Sequence, residues 1–476
     1  MTAPIPDQHR ALRLAFEHAL RFLDSLPQRP TGATADRPTL RRQLGRPLPD
    51  QGVSAETVIQ DLIGEVDGGL LASTGGRFFG WVIGGALPAA LAADWLAGAW
   101  DQNAALYACA PAAAVAEEVV GEWLKELLGL PRGASFALVS GCQMAHATCL
   151  AAARHALLAR RGWDVETRGL AGAPNIRVLT SAHRHGSIER AVRLLGLGSS
   201  ALEDIASDAR DRLDPTALET ALRARPNAPA IVLLQAGDIN VGAFDPFDAV
   251  IPMARRAGAW VHVDGAFGLW AAASPTFRHL ARGVETADSW ATDGHKWLNV
   301  PFDCGYAFVA DPAAHRAAMS HRASYLTHDD EARDQIDWNP EWSRRARGFP
   351  TYAAIRQLGR AGIADLVECC CRHAHALVTG IGRLPGAALL WEPTLNQGLV
   401  RFPDPSTGAT EDDHDRHTDR VIEAVVASGD AFFGGTTWRG RRAMRISVCG
   451  WRTTDDDVRR AVAAVESAMR RVRQAA

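Results

Sequence analysis

The sequence predicts an α/β protein with a mostly parallel central sheet, an N-terminal arm and a small C-terminal α+β domain. Five short apolar runs between residues 136 and 309 are separated by helical stretches, a pattern typical of strands buried on both faces of a parallel sheet. The chain has 476 residues, of which 47% are hydrophobic and 22% are charged. This length and composition allow more than one hydrophobic core.

Residues 1–85 are predicted to form an arm that packs on another subunit or domain. A helical start is followed by residues 29–52, a polar stretch interrupted by prolines, which contains too few apolar side chains for a core of its own. The apolar window Val82–Trp100 is long enough to raise the question of a membrane span, but it contains Pro88 and Asp94. We therefore expect a buried or interface helix and no membrane association.

Residues 86–372 are predicted to form a large domain. Its first clear helix has apolar residues at i, i+3 and i+4 spacing from Val119 to Leu128 and ends at Gly129, as helix-stop signals predict. Lys125 is assigned to the solvated, polar side of this helix. The predicted strands follow at residues 136–139, 176–180, 230–234, 260–263 and 305–309.

Residues 373–476 are predicted to form the small α+β domain. It contains a helix, two strand-like segments at 395–402 and 443–451, and a final helix. This last helix is predicted to begin at Thr454, because Asp457 follows three residues later, as in a capping box.

Charge and cysteine content disfavour several function classes. The net charge is -3 and no segment carries a basic tract, so a nucleic-acid partner is not expected. The eight cysteines have no metal-ligand spacing, which favours reduced thiols and no metal site. The N-terminus lacks a basic region followed by an apolar core, so we expect a cytoplasmic protein.

Lysine is almost absent from this chain. Lysine and arginine together number 51, and only Lys125 and Lys296 are lysines. The guanidinium group of arginine is permanently charged, whereas the ammonium group of lysine can lose its proton when desolvated and become a nucleophilic amine. The segment ATDGHKWLNVPFDCG around Lys296 therefore indicates a lysine retained for its amine rather than for its charge.

Four groups of polar residues follow predicted strands. Asp264 ends the run WVHVD, Lys296 lies 32 residues later, residues 140–143 form a small-residue turn before a helix, and His183 and His185 follow another strand. Pyridoxal phosphate (PLP) requires a lysine amine for its aldehyde, a carboxylate for its pyridine nitrogen and backbone amides for its phosphate. Each of these residues, taken alone, could instead have a structural role, such as a helix cap or an ion pair. Together they favour a PLP site.

The segments HVDGAFG and DGHKWLNVPFDCG resemble the signature of the group II PLP-dependent decarboxylases, which include the aromatic-amino-acid, histidine and glutamate decarboxylases. Residues 75–81, 182–191, 343–359 and 444–453 extend this resemblance over most of the chain. The resemblance implies fold type I, the fold of aspartate aminotransferase, and an amino-acid substrate. It also implies a homodimer in which both subunits line each active site.

The resemblance also implies roles for individual residues. Lys296 would form the Schiff base with PLP, and Asp264 would pair with the pyridinium nitrogen. Ala266 would lie under the ring, and His185, rather than His183, would stack on it. Catalysis is thus assigned to Lys296, Asp264 and His185. The phosphate is expected to be held by Gly141, Cys142 and Gln143, with help from Asp293 and His295.

Further contacts follow from the same resemblance. Asn240 lies where many family members have two threonines near the 3-oxygen of the cofactor, and it is a candidate replacement donor. Arg445 matches an arginine that meets a substrate carboxylate in glutamate decarboxylases, and a structural ion pair is an equal alternative. The expected substrate contacts are Phe79, Trp81, Tyr107, Tyr325, Gln335 and Arg445.

The sequence departs from the family in a loop whose tyrosine supplies a proton in its decarboxylases. That position falls at Gln335, and of the four tyrosines only Tyr325 lies in the preceding loop region. We expect decarboxylation of an L-amino acid through a quinonoid, with oxidative deamination to an aldehyde as the alternative. A third hypothesis is β-elimination from a cysteine S-conjugate, as in antibiotic-pathway relatives. A fourth, a non-catalytic binding protein, is disfavoured by the intact Lys296, Asp264 and His185.

Overall fold

The computed structural model describes residues 7–321 and 332–475 of the chain. It confirms the predicted fold class, with a seven-stranded, mostly parallel sheet and a four-stranded antiparallel sheet near the C-terminus. The strands of the large sheet are β1 (Ser135–Val139), β2 (Arg177–Ser181), β3 (Leu202–Ile205), β4 (Ala230–Gln235), β5 (Trp260–Asp264), β6 (Ser289–Asp293) and β7 (Gly305–Val309). They lie in the order β1-β7-β6-β5-β4-β2-β3, and only β7 runs antiparallel to its neighbours.

Each predicted apolar run forms a strand, but the last one is antiparallel rather than parallel. β7 follows β6 after the loop 294–304, and a parallel connection would need a longer crossover, usually through a helix. Two strands of this sheet, β3 and β6, are not predicted from the sequence. β3 is a partly exposed edge strand, and β6 contains Ser289, Thr292 and Asp293, so neither has the apolar run that marks a buried strand.

Helices surround the large sheet and precede it. The first three are α1 (Asp7–Ser25), α2 (Arg37–Leu44) and α3 (Ala55–Val66). Those that follow are α4 (Pro88–Trp100), α5 (Pro111–Leu127), α6 (Cys142–Ala159), α7 (Val165–Arg168), α8 (Gly186–Leu194), α9 (Pro215–Ala224), α10 (Phe247–Arg256), α11 (Pro312–Met319) and α12 (Gly348–Gly382). The last of these is interrupted at Gly359, and the predicted domain boundary at residue 372 lies inside it.

Side chains of the large sheet alternate between two hydrophobic cores. Along β1, Phe136 and Leu138 belong to one core, whereas Ala137 and Val139 belong to the other. This alternation follows from the two-residue period of a strand. Both faces of the sheet are therefore covered, as the apolar runs predicted.

The small sheet and two further helices complete the fold. Its strands, β8 (Ala388–Trp391), β9 (Gln397–Arg401), β10 (Gly434–Trp438) and β11 (Arg441–Ser447), lie in the order β10-β11-β9-β8. The helices α13 (Glu411–Ser428) and α14 (Asp455–Gln474) pack against each other. The capping box predicted at the start of the last helix is present, with Thr454 and Asp457 as its members.

Lys125 is buried near the end of α5, so the prediction of a solvated charge was wrong. Its ammonium donates to the carbonyls of Arg132 (2.6 Å) and Ala134 (3.0 Å) and pairs with Glu122 (2.8 Å). The turn after α5 folds back over the helix end, which the helical spacing could not show. A compact ammonium with three donors fits this site.

No helix within residues 7–321 and 332–475 is long and apolar enough to cross a membrane. The apolar window 82–100 instead forms α4 from Pro88 onward. Trp95, Leu96 and Trp100 on this helix are exposed. An exposed group of large apolar side chains is typical of an interaction surface, and the interface helix stays a prediction.

Candidate active site

The carboxyl ends of β1, β5 and β6 meet at one edge of the large sheet. Both β1 and β6 run antiparallel to β7, and Val139 and Asp293 each lie opposite Gly305. Asp264 ends the neighbouring strand β5. Because Lys296 follows Asp293 by three residues, the structure places the lysine and both aspartates at this edge.

Asp264 is a buried carboxylate, only 6% exposed. Its Oδ1 atom accepts from the amide of Ala266 (3.1 Å) and lies 3.5 Å from Nε2 of His146. Within the described residues, no hydrogen bond to its Oδ2 atom is formed. Burial raises the pKa of Asp264, but interactions with His146 and Lys296 more than offset this, so the pKa lies below its ordinary value. The carboxylate is therefore ionised at neutral pH and has an open oxygen.

His146 is a candidate site residue that the sequence analysis missed. It lies on α6 one turn after Cys142, is fully buried, and its Nδ1 atom is 2.9 Å from Nε2 of His262. His262 and Asp264 are two residues apart on β5, so their side chains point to the same face. This spacing was the available signal, because two polar side chains on one buried face require polar partners.

The N-terminus of α6, after Gly141, supplies backbone amides. The amide of Cys142 donates to Oδ2 of Asp293 (3.1 Å), whose Oδ1 lies 2.7 Å from Nδ1 of His295. Gln143 follows in the first turn, where amides have no partner within the helix. Such amides favour a phosphate, whereas the negative charge of Asp293 opposes one. The geometry gives Asp293 an orienting position between Cys142 and His295 rather than a direct phosphate contact.

His185 caps the start of α8 at the end of the sheet. Its Nδ1 atom accepts from the amide of Ser187 (3.2 Å) and lies 2.8 Å from the Ser187 hydroxyl. Because Nδ1 accepts, the neutral ring carries its proton on Nε2. Interaction with His185 contributes to the lowered pKa of Asp264, after those with His146 and Lys296. The other expected candidate, His183, lies 3.6 Å from a carboxylate oxygen of Asp211.

Arg445 lies beside the segment that carries Asn240, although the two residues are far apart in the sequence. Arg445, on β11, is 9% exposed, and its Nη1 donates to the carbonyl of Ile239 (3.1 Å). Among the described residues no carboxylate lies within ion-pair distance of Arg445, so the expected alternative of a structural ion pair is not seen. Oδ1 of Asn240 accepts from Thr436 (2.9 Å), which leaves the amide hydrogens of Asn240 to donate elsewhere.

Among the described residues, no hydrogen bond, ion pair or ring contact joins Tyr107 or Gln335 to Lys296 of the same chain. The amide of Tyr107 donates to the aspartate that precedes Gln335 (3.0 Å). Gln335 is fully buried and accepts from Arg333, which also donates to a carbonyl near the start of β1. The start of β1 is the sheet edge opposite Lys296. Tyr325, the other expected loop contact, lies outside the described residues.

Phe79 and Trp81 lie in different environments. Phe79 is buried and stacks on Phe433, with 5.3 Å between the ring centroids. Trp81 is half-exposed and lies 5.3 Å from the ring of Phe432. Phe79 therefore contributes to the core, whereas Trp81 has a free face that a substrate or another subunit could cover.

We expect Gly84→Ala to displace the backbone at Lys296. The amide of Gly84 donates to the carbonyl of His295 (3.1 Å), and a Cβ atom at Gly84 would lie 1.9 Å from the carbonyl oxygen of Lys296. Since sites tolerate displacements of only about 0.5 Å, PLP affinity should fall by about tenfold or more, measured by absorbance titration of the apoprotein. Gly133→Ala, where a Cβ meets open space, should bind like the wild type. Equal affinities in the two variants would contradict this expectation.

The side chains at this edge fit PLP. Lys296 supplies an amine, and its Nζ atom lies 6.0 Å from the ring centroid of Phe267. Asp264 supplies an ionised carboxylate with one open oxygen, and the start of α6 supplies amides. The amine, the carboxylate and the amides match the aldehyde, the ring nitrogen and the phosphate of the cofactor, respectively.

Cys142, His146 and Asp264 also bring three potential metal-ligand atoms within 4.8 Å of one another. Burial raises the pKa of the Cys142 thiol well above its ordinary value, and Asp264 adds to this increase. Because the thiolate is the form that binds metals, the neutral thiol favours a hydrogen-bonded cluster at this position. The absence of a metal site, which the cysteine spacing predicts, can be tested at this cluster by metal analysis of the purified protein.

Comparisons with known proteins agree with this chemistry. Residues 38–402 match the profile of the family described as "Pyridoxal-dependent decarboxylase conserved domain". The chain is 25% identical to an aromatic-L-amino-acid decarboxylase of Bacillus atrophaeus, over 94% of this chain and 92% of that protein. It is 27% identical to a 4-hydroxyphenylacetaldehyde synthase of Rhodiola rosea, over 75% and 73%. Its fold matches the crystal structure of Oryza sativa TDC with PLP and tryptamine, with a TM-score of 0.92, 24% identity and 99% of both chains covered.

Proposed function

Because this chain belongs to the pyridoxal-dependent decarboxylase family, we propose that it releases carbon dioxide from an L-amino acid with PLP attached at Lys296. The observation that carries this proposal is Asp264, an ionised, buried carboxylate with an open oxygen at the same sheet edge as Lys296. Decarboxylation on PLP needs both an amine and a ring-nitrogen partner. No other lysine of this chain is available, since Lys125 is held by backbone carbonyls.

When bound, PLP accepts the electron pair that remains on the substrate α-carbon after carbon dioxide leaves. Asp264 holds the proton at the ring nitrogen, because a charge-assisted hydrogen bond to a buried carboxylate is strong. Lys296 would hold the cofactor through its amine. The amides at the start of α6 hold the phosphate and so orient the ring.

Two further residues orient the substrate. With Nδ1 held by Ser187, neutral His185 donates only from Nε2, which suits a contact with the ring or the substrate carboxylate. Burial lowers the pKa of His185, and Arg445 adds to this decrease. Arg445 has no carboxylate partner among the described residues, so its guanidinium is free to pair with a substrate carboxylate.

An aldehyde formed by decarboxylation with oxidative deamination is the second candidate. The loop position of the family tyrosine is Gln335, which is buried and accepts from Arg333. The N–H protons of a carboxamide are too weakly acidic for general-acid catalysis, so Gln335 is not expected to replace a proton-donating tyrosine. The relative from Rhodiola rosea is named as an aldehyde synthase, which supports testing this outcome beside amine formation.

A panel of L-amino acids and cysteine S-conjugates, incubated in air, tests these alternatives. We expect carbon dioxide from at least one substrate. Carbon dioxide with the amine indicates a simple decarboxylase, whereas carbon dioxide with peroxide and ammonia indicates aldehyde formation. Pyruvate and ammonia without carbon dioxide would reject both in favour of β-elimination. If no substrate gives any product, the hypothesis of a non-catalytic binding protein is favoured.

We also propose a homodimer in which each subunit contributes to the site of its partner. Large apolar side chains are exposed on α1 and α4, among them Phe16, Trp95 and Trp100, and they offer a surface for a second copy. The two substrate contacts expected at Tyr107 and Gln335 lie away from the lysine of their own chain. A twofold dimer that brings them to the partner's site accounts for both features.

Two inactive variants should restore activity when they share a dimer. Lys296→Ala removes the amine, and Tyr107→Ala removes a contact made to the partner's site, so a mixed dimer retains one intact site. Statistical refolding of an equal mixture should give about a quarter of the wild-type activity. A mixture of Lys296→Ala and Lys296→Arg is the control and should stay inactive. Mixed dimers without activity would contradict the shared site.

A further inference from the structure

A continuous row of buried polar side chains leads away from Asp264. Nε2 of His146 lies 3.5 Å from Oδ1 of Asp264, and Nδ1 of His146 lies 2.9 Å from Nε2 of His262. Nδ1 of His262 is 2.9 Å from the hydroxyl of Ser289, and Nε1 of Trp260 donates to the same hydroxyl at 2.9 Å. All of these side chains are buried, so the row is shielded from water.

With both imidazoles neutral, the carboxylate sets the direction of this row. Asp264 can only accept, and Nε2 of His146 faces it across 3.5 Å, a contact longer than an ordinary hydrogen bond. The negative charge of Asp264 favours the tautomer in which Nε2 carries the hydrogen and Nδ1 accepts. His262 therefore donates from Nε2, and its Nδ1 accepts from the hydroxyl of Ser289. That hydroxyl in turn accepts from the indole N–H of Trp260. Each donor in the row thus points towards Asp264.

The surroundings favour neutral imidazoles. Burial lowers the pKa of His262 to about 3, and His146 adds to this decrease. Burial also lowers the pKa of His146, although Asp264 opposes this effect. The Cys142 thiol lies 3.5 Å from Nε2 of His146 and is neutral, as argued above. The titratable groups that face His146 are Cys142 on α6, His262 and Asp264 on β5, Asp293 on β6, His185 before α8, and Lys296.

We infer that His146 is a positioning residue that keeps Asp264 ionised and aimed at the ring nitrogen of PLP, as the last donor of the row from Trp260. This inference rests on the proposed role of Asp264. A neutral donor stabilises the carboxylate without cancelling its charge, so the full charge remains available to the ring nitrogen. A protonated His146 would compete with the ring for Asp264, and the neutral row prevents this.

The protonation of the cofactor ring tests the inference directly. Holoenzyme is prepared with PLP labelled with nitrogen-15 in the ring, and the nitrogen chemical shift is followed against pH. In His146→Leu the carboxylate loses the side chain that fixes its orientation, so its charge is aimed less well at the ring nitrogen, and the pKa of that nitrogen should fall by about one unit. His146→Gln retains an N–H and should restore part of the shift. Ser289→Ala, a milder change, should give a smaller decrease.

Ser135→Ala is the matched control. Ser135 is also a buried serine next to a buried histidine, with its hydroxyl 2.8 Å from Nδ1 of His315, but it lies at the start of β1. The ring nitrogen of this variant should titrate like that of the wild type. An effect as large as that of Ser289→Ala would overturn the inference, because it would show a general response to core substitution.

Three further outcomes would also overturn the inference. If the His146 and Ser289 variants retain PLP and their ring nitrogen titrates like that of the wild type, the role of His146 is rejected, whereas the role of Asp264 is not. An unprotonated ring nitrogen in the wild type would reject the role of Asp264 as well. A stoichiometric metal ion, removed by a chelator with a change in the nitrogen signal, would show that Cys142, His146 and Asp264 are metal ligands. None of these readouts depends on which product the enzyme forms.

Discussion

Lys296→Arg should abolish turnover and leave the fold intact. Arginine retains the positive charge at this position, but its guanidinium stays protonated and cannot attack the aldehyde of PLP. We expect kcat/KM to fall by at least about 10³-fold, the order found when a covalent catalytic group is removed. Borohydride reduction followed by mass spectrometry should attach the cofactor to Lys296 in the wild type and to no residue in the variant.

Lys125→Arg is the matched control, because it changes the only other lysine. The Lys125 ammonium is held by the carbonyls of Arg132 and Ala134, where the larger guanidinium fits less well. This variant should lose some stability, seen as a lower melting temperature, and keep its covalently attached cofactor. Attachment that survives in Lys296→Arg and disappears in Lys125→Arg would contradict the assignment.

The sheet edge that carries Lys296 and Asp264 could be predicted from the sequence because local patterns mark it. An apolar run shows where a buried strand lies, and the polar residue that ends the run then falls at the carboxyl edge. β6 lacks such a run, since Ser289, Thr292 and Asp293 are part of it. β6 is recognised as a strand only from its pairing with β5 on one side and β7 on the other.

His146 was not found in this way, and Arg445 was proposed only from the family resemblance, because the contacts of both residues join distant parts of the chain. His146 meets His262 across 116 residues, and Arg445 meets Ile239 across 206 residues. No local periodicity reports which helix covers which strand face. Gln335 is a different case, since its assignment as the altered loop position stays a prediction, and its burial against Arg333 could not be foreseen from the local sequence.

Asp264→Asn should bind PLP and turn over slowly. The amide is nearly isosteric with the carboxylate, and Lys296 remains to attach the cofactor, so affinity should change little. An amide N–H would instead donate to the ring nitrogen and leave it unprotonated. We expect kcat to fall by at least about 10²-fold with a smaller change in KM, because the charge of Asp264 matters most when electrons move into the ring.

The pH dependence distinguishes this role of Asp264 from a general loss of stability. The pKa of Asp264 lies below its ordinary value of 3.8, so its charge is complete above that value and is lost only as the pH falls through the lowered pKa. Asp264→Asn should therefore reduce kcat across the neutral range without moving an acid limb of the profile. Asp288→Asn is the control, since Asp288 accepts from the amide of Val261 (2.7 Å) at the opposite end of β5, and it should keep the wild-type kcat. Equal losses in the two variants would mean that strand stability, rather than the charge beside the ring, sets the rate.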